Sequence, residues 1–294
     1  MLSDSIQKYL KHLLAEKLQK TIASLQFKGI GGGSINDAYQ VKINNTPKFF
    51  LKLNSITKFP GLFEKEKNGL VFLDSQDSIR VPSIVRCDIK DDHQILLLEW
   101  IEHGSRTERF WKKFGEQMAQ LHRISNKNFG FAEDNYMGSL PQVNTWTDSW
   151  VDFFMTRRLQ PQIELAHKKN LLDKRHFDSF ETVNKKLSSI FNNEKPSLLH
   201  GDLWSGNFIC NDQALPVLID PAVYFGHRNI DLAMTTLFGG FDKGFYDAYH
   251  YHFPFPSNYH EQWEVCNLYP LLIHLNLFGR SYLHQIERTL QIFS

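Results

Sequence analysis

The chain has 294 residues, 42% of them hydrophobic and 22% charged, which is enough apolar mass for a sizeable core in one large domain or two lobes. A formal net charge of +1 gives no reason to expect a nucleic-acid or membrane surface. The amphipathic first twenty residues read as neither a signal peptide nor a membrane span. Cys87, Cys210 and Cys266 are far apart and fit no metal or C-x-x-C spacing, so we expect reduced, buried thiols in a cytoplasmic protein. The 24 phenylalanines point to an aromatic-rich core.

In chain order, Ile6, Leu10, Leu13, Leu14, Leu18, Ile22 and Leu25 recur at helical spacing, with Ser3 or Asp4 available as cap. Short strand-like pieces follow at 27–30, 38–43 and 48–53, with Gly31, Gly32, Gly33 and Ser34 between the first two. Residues 62–75 read as a helix. Strands are then expected at 81–85 and 94–101, the second so continuously apolar that it should be buried on both faces. Beyond 99–105 the pattern changes. Phe110, Phe114, Met118 and Leu121 mark one helix, and Trp146, Trp150, Phe153 and Phe154 open another. A short β island, at 197–200, 207–210 and 217–220, precedes helical patterns that run to the end. The expected organisation is α+β: a β-rich N-terminal lobe over 1–102 and a mostly helical C-terminal lobe over 103–294.

Chemistry concentrates in the run His200-Gly201-Asp202-Leu203-Trp204-Ser205-Gly206-Asn207, followed by Asp220 after a strand. In a kinase catalytic loop an Asp accepts the proton of the attacking hydroxyl. An Asn five residues on and an Asp after the next hairpin hold magnesium. Asp202, Asn207 and Asp220 have that order and spacing, and oxygen ligands suit a hard cation. Each alone could be a turn residue or a cap, but the three together between two strands are much rarer. Lys52 lies inside an apolar strand, where it either snorkels at an edge or is paired. A kinase needs such a lysine on the nucleotide phosphates, tied to a helix glutamate. Glu66 shares the stripe of Leu62, Leu70 and Leu73, and a carboxylate on an apolar stripe needs a partner; Glu64 should face solvent. The glycines 31–33 and Ser34 let backbone amides approach phosphates, although no Walker A lysine follows them. Glu99 and Ile101, at the end of the last strand of this lobe, are placed to meet adenine through their backbone. Asp231 is either the N-cap of the helix that follows or a brace for the catalytic loop. His200 is either a satisfied structural histidine or a contact of the loop and Asp220. Only ten residues separate Asp220 from Asp231, too few for the activation segment of a protein kinase.

The strings GGGSIN, LKLN, FEKEKNGL, GSLPQVNTW with its following W-x-x-FF-x-x-RLQPQ, LLHGDLWSGNF, DPAVYFGHRNIDLAMTTLFGGF and YPLLIHLNLFGRSY cover nearly the whole chain. Through them the chain resembles the fructosamine kinase (ketosamine-3-kinase) family, relatives of the aminoglycoside and choline phosphotransferases. The resemblance implies a two-lobed protein-kinase-like fold that uses ATP and Mg2+. It implies phosphorylation of the sugar of free or protein-bound glycated amines at the third carbon, after which the amine is released as a repair of glycation. It places Lys52 on phosphates, Glu66 on Lys52, Asp202 as base, Asn207 and Asp220 on magnesium, and the ring of Trp204 beside the substrate. Two departures stand out. Ser34 occupies a position where some members carry a cysteine able to link two chains, so a monomer is expected. Asn229 stands where Glu is common. The competing readings are an aminoglycoside- or choline-type phosphotransferase and a non-catalytic nucleotide-binding module. Residues 144–170 and 258–294, expected to wall the acceptor site, lack the dense acidic run that a polycation calls for. They offer Trp146, Trp150, His274 and Asn276 instead.

Overall fold

The computed structural model describes residues 2–31, 35–191 and 193–293. The chain forms two compact units, 1–68 with 82–102 and 69–81 with 103–294. The sequence pattern places 69–81 in the N-terminal lobe, 1–102. The structure groups it with the second unit because the Leu218 N–H donates to Arg80 O and Gly69 packs against Val223.

The first unit opens with α1 (Asp4–Leu18), capped by Ser3, whose Oγ accepts the Ile6 N–H. Its buried face is Ile6, Leu10 and Leu14. The helix stops at Gln19, which is left-handed at φ 50° and returns its N–H to Ala15 and Glu16 carbonyls. The apolar period that runs on through Ile22 and Leu25 is therefore not helical; Leu25 begins β1 (Leu25–Ile30). β2 (Asp37–Ile43) and β3 (Thr46–Ser55) form a hairpin through Asn44 and Asn45, both at positive φ as a two-residue turn demands. α2 (Leu62–Asp74) crosses from one unit to the other, and β4 (Ile84–Lys90) and β5 (His93–Glu99) complete an antiparallel sheet of order β1-β2-β3-β5-β4. β4 starts later than expected, past Pro82, which cannot donate to a ladder. The five central residues of β5 are buried on both faces. Leu51, Leu53, Ile95 and Leu97 meet α1 on one face. Strand alternation therefore sends Lys52, paired with Leu96, to the other face.

In the second unit, α3 (Glu108–His122) carries Phe110, Phe114, Met118 and Leu121 into the core, each fully buried. A β6 (Asn135–Met137) and β7 (Leu140–Gln142) hairpin follows. Then come α4 (Trp150–Phe153), a π-helical turn (Phe154–Leu159), α5 (Gln160–Lys168) and α6 (Lys174–Ile190). Trp146 precedes α4, whose cap is Ser149. Two small antiparallel pairs follow. β8 (Ser197–Leu199) pairs with β11 (Tyr224–Gly226), and β9 (Phe208–Cys210) pairs with β10 (Pro216–Leu218). α7 (Asn229–Met234), α8 (Lys243–His252), α9 (Tyr259–Phe278), a 3-10 turn (Arg280–Tyr282) and α10 (Leu283–Ile292) complete the chain. The aromatic wealth is spent between α3 and α8, where Phe114 lies within ring contact of Phe110, Phe208, Phe241 and Phe245. α8 sits so close to α3 that a Cβ on Gly115 would fall 2.2 Å from Phe245 O. Among the described residues no helix is long and apolar enough to cross a membrane.

Candidate active site

The loop between β8 and β9 is built by a few buried groups. Asp231, with no exposed surface, accepts the N–H of His200 at 2.7 Å on Oδ2 and of Gly201 at 2.9 Å on Oδ1. It lies inside α7 and caps nothing; of the two roles open for it, the structure gives the brace. His122 Nε2 stands 3.2 Å from Asp231 Oδ2, and its Nδ1 is 2.8 Å from the Tyr249 hydroxyl. The loop is thereby tied to α3 and α8. Gly201 has φ +85°, and a Cβ there would lie 2.0 Å from Ala222 O, so only glycine fits.

His200 is fully buried, and burial lowers its pKa. Its neutral ring has one donor and one acceptor, and both are used: Nε2 meets Ile219 O at 2.8 Å and Nδ1 accepts the Asp202 N–H at 3.2 Å. His200 is thus structural, locking the loop to the strand that ends at Asp220. Asn207 donates twice from Nδ2, to Asp202 O at 2.9 Å and to Asp202 Oδ2 at 2.8 Å, so its Oδ1 is not spent on the loop. Burial, the largest cause, raises the Asp202 pKa to about 7; the Asn207 hydrogen bond opposes it, and the charges of Asp220 and Asp231 add to it. Asp220 is left-handed at φ 54°, a conformation Asp tolerates better than most residues.

The half-buried Trp204 folds its ring over Gly206 and meets Phe238 edge-on at 5.7 Å. Phe238 continues to His274 at 4.9 Å, and His274 to Phe278 and Tyr282 at 5.5 and 5.0 Å. A partly exposed aromatic band therefore starts in the loop between β8 and β9. Two residues expected beside it are elsewhere: Trp150 is 5% exposed among Phe153, Phe154 and Phe191, and Asn276 is buried against Gln162.

In the first unit, Lys52 Nζ lies 2.7 Å from Glu66 Oε1, with side chains 4% and 11% exposed, while Glu64 is exposed. Glu99 closes β5: its N–H donates to Ser83 O, and its Oε1 accepts the Ser83 N–H, both at 3.0 Å. The Ile101 side chain is buried, and its N–H has no acceptor among the described residues. Gly31 follows β1 directly; Gly32, Gly33 and Ser34 lie outside the described residues. The sequence reading did not find His122 and Tyr249. A signal for the first existed, since His122 completes the i, i+4 stripe of Phe110, Phe114 and Met118.

A five-stranded antiparallel unit with a buried Lys–Glu pair, and a helical unit with Asp202 and Asn207 joined on a braced loop, define a phosphotransferase of the protein-kinase-like class. The fructosamine kinase family profile matches residues 6–293, and the chain belongs to that family. It is 37% identical over 267 residues to a protein named a probable ketoamine kinase of Synechocystis, covering 90% of this chain and 88% of that one. It is 35% identical over 259 residues to the chloroplastic protein-ribulosamine 3-kinase of Arabidopsis thaliana, covering 86% and 78%. A crystal structure of a Haemophilus somnus protein assigned as a fructosamine-3-kinase superposes with a TM-score of 0.88 at 27% identity, covering 99% of both chains.

Proposed function

We propose that this enzyme transfers the γ-phosphate of ATP to the third-carbon hydroxyl of a ketosamine sugar, with Asp202 as base. The observation that carries the reading is the Asp202 carboxylate. It is oriented by Asn207, set near pKa 7, and followed two residues later by the first ring of an aromatic band. A base with a pKa near the working pH is well matched to taking a proton from a sugar hydroxyl. When bound, ATP supplies the phosphoryl group and Mg2+ offsets its charge. Asp220 and the Oδ1 of Asn207 are the oxygen donors fit for that cation. A hard cation there would complete its shell with phosphate oxygens and water. Lys52, held by Glu66, serves the phosphates together with the 31–34 segment, and Glu99 and Ile101 serve the adenine.

The Trp204 ring offers a flat apolar face to a sugar. Names of relatives support the acceptor class, a ketoamine in one case and a ribulosamine in another. Charge supports it too. A polycationic aminoglycoside needs several carboxylates, and the band beside Trp204 is made of Phe238, His274, Phe278 and Tyr282. The three cysteines are unpaired thiols; Cys210 and Cys266 are buried as expected, whereas Cys87 is half-buried. The test is competition between a fructosyl-amine and kanamycin, with the phosphate located by NMR. A higher kcat/KM for the ketosamine and phosphate on its third carbon are expected. A clear preference for kanamycin, or phosphate at another carbon, overturns the reading.

A further inference from the structure

The side chain of Arg158 has no exposed surface, and no carboxylate pairs with it among the described residues. Burying a guanidinium without a counter-ion is costly, so its surroundings must stabilise it in other ways. It sits on the π-helical turn after α4, its guanidinium 4.0 Å from the Tyr224 ring and 4.5 Å from that of Phe153. Nη1 donates to Val143 O at 2.7 Å and Nη2 to Asn144 Oδ1 at 2.6 Å. Asn144 Nδ2 passes the chain of bonds to Asn135 Oδ1 at 3.1 Å, which also accepts Gln142 Nε2 at 2.8 Å. Gln142 Oε1 in turn accepts the hydroxyl of the buried Tyr269 at 2.8 Å.

This network ends on backbone beside Asp220. Asn135 Nδ2 donates to Val223 O at 2.9 Å, and Gln142 Nε2 to Ala222 O at 3.3 Å. On the other side, Ile219 is held by His200 through its carbonyl and by the Asn207 carbonyl through its N–H. Asp220, left-handed between these anchors, is fixed from both directions. We propose that Arg158, Asn144, Asn135, Gln142 and Tyr269 are positioning residues that hold the Asp220 carboxylate where it binds the cation. The proposal rests on the reading of Asp220 as cation ligand.

The test titrates Mg2+ against binding of a non-hydrolysable ATP analogue, followed by calorimetry, so that no turnover is needed. Loss of partners that orient a metal ligand typically weakens metal binding about 10- to 100-fold. Asn135→Leu and Arg158→Lys are each expected to raise the half-saturating Mg2+ concentration about tenfold while leaving nucleotide binding without Mg2+ unchanged. Lysine keeps the charge of Arg158 but cannot reproduce its fork. Tyr269→Phe, which removes one outer hydroxyl and should fold, is expected to give a smaller shift in the same direction. Mere loss of folded protein would lower capacity without moving the half-saturation point. Unshifted Mg2+ dependence in these variants, with a shift in Asp220→Asn, overturns the proposal alone. An unshifted Asp220→Asn overturns the cation reading and the proposal together.

Discussion

Asp202 costs the protein stability as pH rises from acid to neutral, and Asp202→Asn should remove that cost. The native carboxyl has its pKa raised from 3.8 to about 7 by burial in the loop. A raised pKa means that the folded state holds its proton longer than the unfolded chain does. The destabilisation is absent below the unfolded value, grows as pH rises through the window between 3.8 and about 7, and is constant above it. Between pH 5 and pH 8 the unfolded group is already ionised, and the native one must surrender its proton. That interval covers about two pKa units, or roughly 2–3 kcal/mol at 1.36 kcal/mol per unit, and the part-exposed carboxyl makes this an upper figure. Asn can still accept the Asn207 hydrogen bond, so the substitution removes charge and little else. Relative to wild type, Asp202→Asn should gain about 2 kcal/mol on going from pH 5 to pH 8, read as a Tm difference that widens by on the order of 4 °C. Phosphoryl transfer should fall about 10²- to 10⁴-fold in the same protein. A Tm difference that is flat with pH, or that narrows, would refute the burial argument even if activity were lost.

Binding Mg2+ with a non-hydrolysable ATP analogue at pH 7 should release a fraction of a proton, because a nearby cation favours the ionised carboxylate; calorimetry in buffers of different ionisation enthalpy measures it, and Asp202→Asn should release none. Lys52→Met and Glu66→Ala should each lower kcat by on the order of 10²-fold, whereas the exposed Glu64→Ala should match wild type; steady-state kinetics with the reverse ranking would contradict the pairing. Gly201→Ala should cost more than about 2 kcal/mol in denaturant titration, since the backbone is left-handed and a Cβ would sit 2.0 Å from Ala222 O; a cost below about 0.5 kcal/mol would contradict the packing. His122→Ala should destabilise by about 3 kcal/mol in the same assay, because it strips a partner from the buried Asp231.

What the sequence disclosed, and what it hid, follows the range of each interaction. Strand β5 was legible because a near-continuous apolar run is a local signal. The Lys52–Glu66 pair could be reasoned out because a carboxylate on an apolar stripe is conspicuous. The loop from His200 to Asn207 is a contiguous string, so its order survives in one dimension. The end of α1 was missed because Ile22 and Leu25 continue the helical period by chance, and Gln19 supplies the left-handed stop without a glycine. The hairpin β6–β7 and strand β11, at three residues each, are too short to show any period. The bracing of Asp231 by His122, and of His122 by Tyr249, joins residues 109 and 127 positions apart, which no window reports. Trp150 and Asn276 looked suited to a sugar by type alone, and burial decided otherwise.

The tie that runs from Tyr249 through His122 to Asp231 makes the loop between β8 and β9 part of the same interior as α3 and α8. Loops that can loosen on their own give an enzyme a resting state, and regulators or drugs can trap it. Here the loop between β8 and β9 has no such independence: its bracing lasts as long as the helical core does. Heat inactivation should therefore track loss of the core itself, with no dormant, folded intermediate for a cell to hold in reserve.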